Sequence, residues 1–432
     1  MDPCLALLLS FAVFLLAGLP IAVALGLSGV IGIMLGLDTY ALGTIGTNTY
    51  NGIAKYPLIA IPLFVLTGMI FERSGVAQKL VDFASALVGP RRGGLAVVAV
   101  LVCMLMGGMS GSGPADAAAV ATVMIPSMAK AGYPRAFSSG VIAAAASTAI
   151  LIPPSIALIV YSIMVPGLDL RALFAAGVVP GILAGLSVIL PTLWLSRRHD
   201  FGHMEEEKRS HLLKSLIGAL PGLMAPVIIL GGLRSGAFTP TEAAVVAVAY
   251  GLIVGLFIYR TLTWADIYRA LVDSAQTSAV ILIIISLAGI FAWAGSTLGA
   301  FDLGAKLMFS LSDNSTVVLV LVMICLLLAG MVLDGISIYL ITLPLLMPLM
   351  DRYGWNPTWF GILMAMNIAI GQFTPPVAVN LMVTAKVGGV SIEATTRWVM
   401  WFVLSMALAI GLVIAFPGIA LWVPEALGYA TD

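Results

Sequence analysis

Apolar residues in this chain run in long unbroken blocks rather than in the alternating patterns of a half-exposed surface. Cys4–Gly18, Pro20–Leu37, Leu95–Gly108, Leu216–Leu233, Val317–Leu333 and Val399–Val423 are the longest of these runs. A membrane span needs about 20 mostly apolar residues, and several of the blocks reach that length alone or with their flanks. The pattern predicts spans at 4–18, 20–37, 57–72, 134–166 (broken near 153), 173–196, 216–233, 240–260, 277–296, 357–387 (broken near 375) and 399–423. Two further segments, 95–131 and 316–352, are long enough for two helices each and carry a Gly-rich polar tip near the middle. They read as re-entrant helical hairpins, a form tolerated at membrane depth only where protein buries it or it lines a cavity.

The two hairpins are written with nearly the same residues, 222 positions apart. Gly108-Met109-Ser110-Gly111-Ser112-Gly113 is followed by Pro126, Met128, Gly132 and Pro153-Pro154. Gly330-Met331-Val332-Leu333-Asp334-Gly335 is followed by Pro348, Met350, Gly354 and Pro375-Pro376. Cys103/Cys325 and Ala143/Ala365 keep the same offset. Pro20 and Pro240 begin equivalent spans separated by an odd number of crossings, so the halves are expected to be inverted. Paired, interrupted hydrophobic segments in corresponding halves point to the binding site of a secondary transporter.

Charge sets the orientation. Arg73, Lys79, Arg91, Arg92, Lys130, Arg135, the 197–214 linker, Arg260, Arg269, Lys386 and Arg397 all fall on one side of this layout, which the positive-inside rule makes cytoplasmic. Both termini are then expected outside, with the first hairpin opening from the cytoplasm and the second from the exterior. Val76–Val88, Leu262–Ala275 and Ser391–Thr396 mix apolar residues with sparse charges and are expected to lie as amphipathic helices in the interface. Composition agrees: 61% of residues are hydrophobic and 9% charged, against about 25% charged in a soluble domain, and mean hydropathy is +1.11. The zero net charge argues against a nucleic-acid partner. The opening Met1-Asp2-Pro3 has no basic region, which favours a retained first span over a cleaved signal peptide. Cys4, Cys103 and Cys325 sit in apolar segments without metal spacing, and His199, His203 and His211 fall in the charged linker, the expected place for a solvated connector.

The expected division is therefore 1–90 as first-half scaffold with its interfacial arm, and 91–172 as the first hairpin and broken helix. Scaffold helices with the 197–214 linker and a second arm take 173–300, the second hairpin and broken helix take 301–390, and a last interfacial helix and scaffold span take 391–432.

Asp334 is the sharpest single residue. It interrupts an almost uncharged run, and an ionised Asp at membrane depth costs roughly 2.5–3.5 kcal/mol on insertion scales. That points to a cation ligand, for Na⁺ or H⁺, set against the alternative of a span-end acid or one paired structurally. Its repeat-mate is Ser112, a neutral oxygen. Ser110, Ser112, Ser337 and Thr374 offer hydroxyls, and Gly107, Gly108, Gly111 and Gly113 let carbonyls turn inward as a hard cation requires. Asp116 reads either as an acid favouring its own helix dipole or as a second acid tuning the first site. The Pro-Pro pairs cannot continue a helix. They leave Ser147, Thr148, Ser155, Asn367, Gln372 and Thr374 lining the breaks, with half-helix N-termini facing an anionic substrate. Asn367, Gln372 and Asn380 equally suit helix–helix hydrogen bonding. No nucleophile–base set, phosphate loop or dinucleotide fingerprint is present, so no enzyme activity and no cofactor is expected, and an ion gradient is the expected source of energy.

Several strings resemble the large membrane (M) subunit of tripartite ATP-independent periplasmic (TRAP) transporters. They are Gly108-Met109-Ser110-Gly111-Ser112-Gly113-Pro114-Ala115-Asp116, Gly236-Ala237-Phe238-Thr239-Pro240-Thr241-Glu242, and Asn367-Ile368-Ala369-Ile370-Gly371-Gln372-Phe373-Thr374-Pro375-Pro376-Val377. The resemblance covers essentially the whole chain in order. It implies an all-α, elevator-type, Na⁺-coupled symporter of organic acids in the bacterial inner membrane, in which a mobile transport domain of hairpins and broken helices moves against a scaffold. It further implies two partners, a small four-helix membrane (Q) subunit and a soluble periplasmic substrate-binding (P) protein. Implied sodium sites fall at Ser110, Gly111 and Ser112 with Ser147 and Pro153, and at Asp334 and Ser337 with Gly371, Thr374 and Pro375. Implied substrate-lining residues are Thr148, Pro154, Ser155, Asn367, Gln372 and Pro376. Where such subunits commonly carry Gly after Pro-Pro-Val, this chain has Ala378.

Three other readings compete. A channel would work without coupling stoichiometry. An intramembrane hydrolase would pair Asp116 with Asp334, but the repeat puts the two acids out of register. A free-standing elevator carrier would need no binding protein.

Overall fold

Among the described residues, ten α-helices precede the central linker and ten follow it. The computed structural model describes residues 2–37, 39–89, 91–202 and 212–431. The first ten are α1 (Pro3–Leu16), α2 (Ile21–Gly36), α3 (Thr44–Ile53), α4 (Ala60–Arg73), α5 (Val76–Val88), α6 (Gly94–Ser110), α7 (Gly113–Lys130), α8 (Arg135–Ala146), α9 (Ile156–Met164) and α10 (Leu170–Arg198). The second ten are α11 (Leu212–Arg234), α12 (Pro240–Ile253), α13 (Trp264–Leu298), α14 (Ala300–Leu311), α15 (Ser315–Gly330), α16 (Gly335–Tyr353), α17 (Pro357–Gly371), α18 (Val379–Gly388), α19 (Ile392–Ala415) and α20 (Gly418–Ala426). No β-strand occurs among the described residues. The 222-residue offset survives as structure: Gly113 and Gly335 open α7 and α16, and the first residues of α8 and α17 keep the same spacing.

Among the described residues, seven helices are long and apolar enough to cross a membrane unaided, including Leu170–Arg198, Leu212–Arg234 and Trp264–Leu298. Their outward faces carry bare Leu, Ile and Val, with Leu190 70% and Leu213 69% exposed. Such a surface suits lipid and not water, so the chain is a polytopic membrane protein. Inside, small residues let helices close up, as membrane bundles require. A Cβ added to Gly29 of α2 would lie 2.9 Å from Ile290 Cγ2 of α13. The interior is built on α8 and α17: every residue from Phe137 to Ala146 and from Thr358 to Gly371 is buried.

The expected hairpins and broken helices form, but two interfacial arms do not stand alone. Leu262–Ala275 is not a separate helix; its residues from Trp264 onward belong to the continuous α13. Thr263 and Asp266 close a capping box at its start, and no Gly or Pro follows before the apolar run, so nothing ends the helix. Its charged first turns are absorbed by α4, where Arg73 donates to the Asp266 carbonyl at 3.2 Å and pairs with Asp273. Ser391–Thr396 likewise runs straight into α19 from its Ser391 cap. That span stops at Ala415, with Pro417 leading into α20, instead of continuing to 423. Val76–Val88 does form a separate helix.

Two helices were not legible. The polar α3 packs on α13, where Ser286 Oγ donates to the Thr49 carbonyl at 2.8 Å, and α14 follows Gly299 at the end of α13. In the linker, His199 is the C-cap of α10 and packs on Phe201 and Trp398 with ring centroids 5.4 and 5.1 Å away. His203 and His211 lie outside the described residues.

Candidate functional site

Each hairpin tip is made by a helix that stops and restarts within a few residues. α6 ends at Ser110 and is capped by Gly111, whose φ of +58° a side chain would strain. Gly111 also touches the first break, for an added Cβ would sit 2.4 Å from the Pro154 carbonyl oxygen. Gly107 does the same one turn earlier, 2.7 Å from Ala149 Cα. The second hairpin meets the second break in the same manner. Val377 N–H donates to the Met331 carbonyl at 3.2 Å, and a Cβ on Gly371 would lie 2.5 Å from the Gly330 carbonyl carbon. Both Pro-Pro bonds are cis.

The two hairpins also converge on each other through the second break. Gly113 lies against Gln372 and Asn380, and a Cβ there would be 2.7 Å from Gln372 Oε1 and 2.9 Å from Asn380 Nδ2. Gly335 lies against Ile368, at 2.7 Å by the same measure. Between the tips is a cavity of about 220 Å³. Gly111, Ser112, Asp334 and Gln372 all line it, opposite Val65, Gly68 and Met69 of α4 and Thr277 and Ile281 of α13.

The candidate residues divide into groups. Asp334 faces the cavity and at the same time caps α16: Oδ2 accepts from the N–H groups of Ile336 and Ser337 at 3.2 Å, and Ser337 Oγ donates to Oδ1. Ser110 turns away from the tip and donates to Asp116 Oδ1 at 2.7 Å, while Ser112 N–H donates to Ser110 Oγ at 3.1 Å. Asp116 is fully buried, and its Oδ2 has no partner. Ser147, Thr148 and Thr374 donate to carbonyls of their own helices at Ala144, Ala145 and Ile370. Ser155 caps α9 through Leu158 N–H. Asn367 donates to the Met323 carbonyl at 2.7 Å, tying α17 to α15. Pro153, Pro154, Pro375 and Pro376 shape the breaks that the glycines of the tips abut.

Sequence reasoning did not name Asn380 among the site residues, nor Gly68, Met69 and Thr277. Asn380 is fully buried with both terminal amide atoms unpartnered. Its signal was its place just after the second Pro-Pro pair. The α4 and α13 wall carries no local signal, because its contact with the tips exists only in the folded chain. Ala378 stands at φ +51°, a conformation that disfavours a side chain, and its carbonyl accepts from Met382 N–H at 2.9 Å.

Buried oxygens without partners gather around the tips and the second break: Asp116 Oδ2, Asn367 Oδ1, Gln372 Oε1 and Asn380 Oδ1. No group of three His, Cys, Asp or Glu side chains fit for a metal ion occurs among the described residues. Asp116 is engaged with Ser110 and Asp334 with its own helix, which leaves no carboxylate dyad between them.

Interrupted helices meeting at a shared cavity, in a helical chain whose outer faces suit lipid, define a membrane transport protein. The description "Tripartite ATP-independent periplasmic transporter, DctM component" matches residues 8–419, and the chain belongs to that family. It is 38% identical over 405 residues to the C4-dicarboxylate TRAP transporter large permease protein DctM of Pseudomonas aeruginosa, with 94% of each chain covered. It is 34% identical over 403 residues to the isethionate TRAP transporter permease protein DctMQ of Oleidesulfovibrio alaskensis, covering 92% of this chain and 63% of that one. In fold it is similar to the Neisseria gonorrhoeae MtrF efflux pump, with a TM-score of 0.61 at 14% identity over 96% of this chain and 95% of that one. The chain is thus a large permease subunit of the tripartite ATP-independent periplasmic (TRAP) type, a transport protein and not an enzyme.

Proposed function

We propose that this subunit imports a small organic anion across the bacterial inner membrane, driven by a sodium gradient. A soluble periplasmic binding protein delivers the acid, and a small four-helix membrane subunit braces the scaffold. The observation that carries the reading is the cavity shared by both hairpin tips and Gln372 of the second break. The names of relatives support the substrate class, since they name a C4-dicarboxylate and isethionate, and the name DctMQ of a relative of which this chain covers 63% supports the small-subunit partner.

Electrostatics supplies the coupling. The cavity already contains the carboxylate of Asp334. Bringing an organic anion beside it in a medium of low dielectric is unfavourable, and a cation bound at the tip removes that penalty. Sodium and acid then bind cooperatively, each strengthening the other by the same factor. Ser110, Gly111, Ser112, Ser147 and Pro153 are proposed to hold one sodium, and Asp334, Ser337, Gly371, Thr374 and Pro375 another. Thr148, Pro154, Ser155, Asn367, Gln372 and Pro376 border the acid. Residues 91–172 and 301–390 move as the transport domain against the scaffold, with both termini on the periplasmic side.

The test is uptake by proteoliposomes holding this chain, its small membrane subunit and the acid-loaded receptor. Accumulation is expected only with an inward sodium gradient. Equal accumulation in choline would refute sodium coupling, and uptake by the chain alone would refute dependence on the receptor.

A further inference from the structure

Helices α10 and α19 pack side by side, and their outer faces follow one pattern. On α10, Ile182, Leu186, Leu190 and Trp194 are exposed at four-residue steps and lead to Arg198 in the last turn. On α19, Arg397 is followed by exposed Trp401, Leu404, Leu408 and Leu412. Steps of three and four keep such residues on one side of a helix. At 1.5 Å per residue the stripes extend about 18 and 16 Å from their ends at Trp194 and Trp401, close to the roughly 15 Å of one leaflet's hydrocarbon. The other half of α10 is different: no residue from Ala172 to Gly181 is exposed. The open apolar face is one leaflet deep.

The polar ends of the two stripes meet. The rings of Trp194 and Trp401 are 4.9 Å apart, and the Arg198 guanidinium lies 5.1 Å from the Trp194 ring. Arg397 lies 4.4 Å over Trp398, whose other neighbour is His199 at 5.1 Å. Two contacts thus cross from α10 to α19, each with an arginine on an indole face. Among the described residues neither arginine has a carboxylate partner. Asp200 pairs with Arg92 at 3.0 Å, and Glu393, one turn before Arg397, makes no ion pair. Arg198 suits the negative end of α10, but Arg397 stands near the positive end of α19, where the helix dipole disfavours a cation. Two uncompensated guanidinium groups at the head of a one-leaflet apolar face call for an anion with a hydrocarbon tail.

We propose that this cleft binds one anionic phospholipid. Its phosphate accepts from the N–H groups of Arg198 and Arg397, a geometry guanidinium favours, and its acyl chains follow the two stripes. A partner's spanning helix would need an open face through both leaflets, which α10 lacks. A zwitterionic headgroup would bring its own cation beside the two arginines. The site lies apart from the cavity between the hairpin tips and does not depend on sodium coupling.

The experiment is native mass spectrometry of the chain with its small membrane subunit, delipidated in detergent and titrated with phosphatidylglycerol or phosphatidylcholine. One phosphatidylglycerol is expected to bind about tenfold more tightly than phosphatidylcholine or better, from the attraction of two cations. Arg198→Gln with Arg397→Gln should remove that preference while the lipid-free melting temperature holds. Arg91→Gln with Lys214→Gln removes the same charge elsewhere and should preserve it. Equal affinity for the two lipids in the wild type, or an unchanged preference in the Arg198/Arg397 variant, overturns the site. So does equal loss in the Arg91/Lys214 variant, which would mark general surface charge. Binding by the chain alone but not by the pair would show that the small subunit covers the cleft and would also overturn it. None of these results bears on the transport reading.

Discussion

Gly371 on α17 approaches Gly330 on α15 so closely that a methyl group on Gly371 would lie 2.5 Å from the Gly330 carbonyl carbon and 2.7 Å from its oxygen. The atoms in the way are backbone, which no side-chain rotation relieves. Gly371→Ala is therefore expected to destabilise the protein by about 1–3 kcal/mol, the usual range for overpacking, and to push the second hairpin off the second break. Thermal unfolding of the purified variant checks the first effect and sodium-driven uptake the second. A wild-type melting temperature with full uptake would show that the contact is not needed.

Asp334→Asn separates the observed helix cap of that residue from its proposed role at the sodium site. Asn is as good an N-cap as Asp, so α16 should remain capped and the fold intact. The charge is lost, and sodium-dependent uptake should be lost with it. A cooperative melt near that of the wild type, together with uptake that no longer responds to sodium, is the expected pair of results. Unchanged sodium dependence would remove Asp334 from the ion site.

Ser112→Ala should weaken sodium binding less than Asp334→Asn does, because it removes a dipole where the other removes a charge. Sodium titration of uptake in the two variants ranks them directly. The reverse order would contradict the proposed division between a charged and a neutral site.

Ala378→Gly is expected to stabilise the chain. The left-handed conformation of Ala378 costs roughly 1–2 kcal/mol for a residue with a Cβ. Glycine removes that strain but loses more backbone entropy on folding, about 0.5–1 kcal/mol, so the net gain should be up to about 1.5 kcal/mol. A raised melting temperature checks it, and a lowered one would show that the buried methyl group contributes more than the strain removes.

Much of this architecture was legible because its signals are local. Gly111 and Gly335 mark tips, Pro153-Pro154 and Pro375-Pro376 mark breaks, and identical offsets tie the hairpins together. The start of α13 was misread because its charged first turns resemble an interfacial arm, and only the contact of Arg73 with Asp266 and Asp273 shows how those charges are accommodated. α3 was missed because a ten-residue polar helix has no apolar run to announce it. Of the candidate site, Gly111, Ser112, Asp334 and Gln372 were named from sequence and reach the cavity. Ser147, Thr148 and Thr374 were named for their hydroxyls, but a hydroxyl in a helix can bond the carbonyl one turn back, and these do. The α4 wall and Asn380's unpaired amide depend on contacts between distant segments, which local pattern does not encode.

Sodium and an organic acid are proposed to share one cavity and to strengthen each other there. Sodium affinity measured by calorimetry on the membrane pair, with and without saturating acid, tests it most directly. Sodium should bind more tightly when the acid is present, and the acid should gain the same factor from sodium. Identical sodium affinity in the two conditions would contradict it.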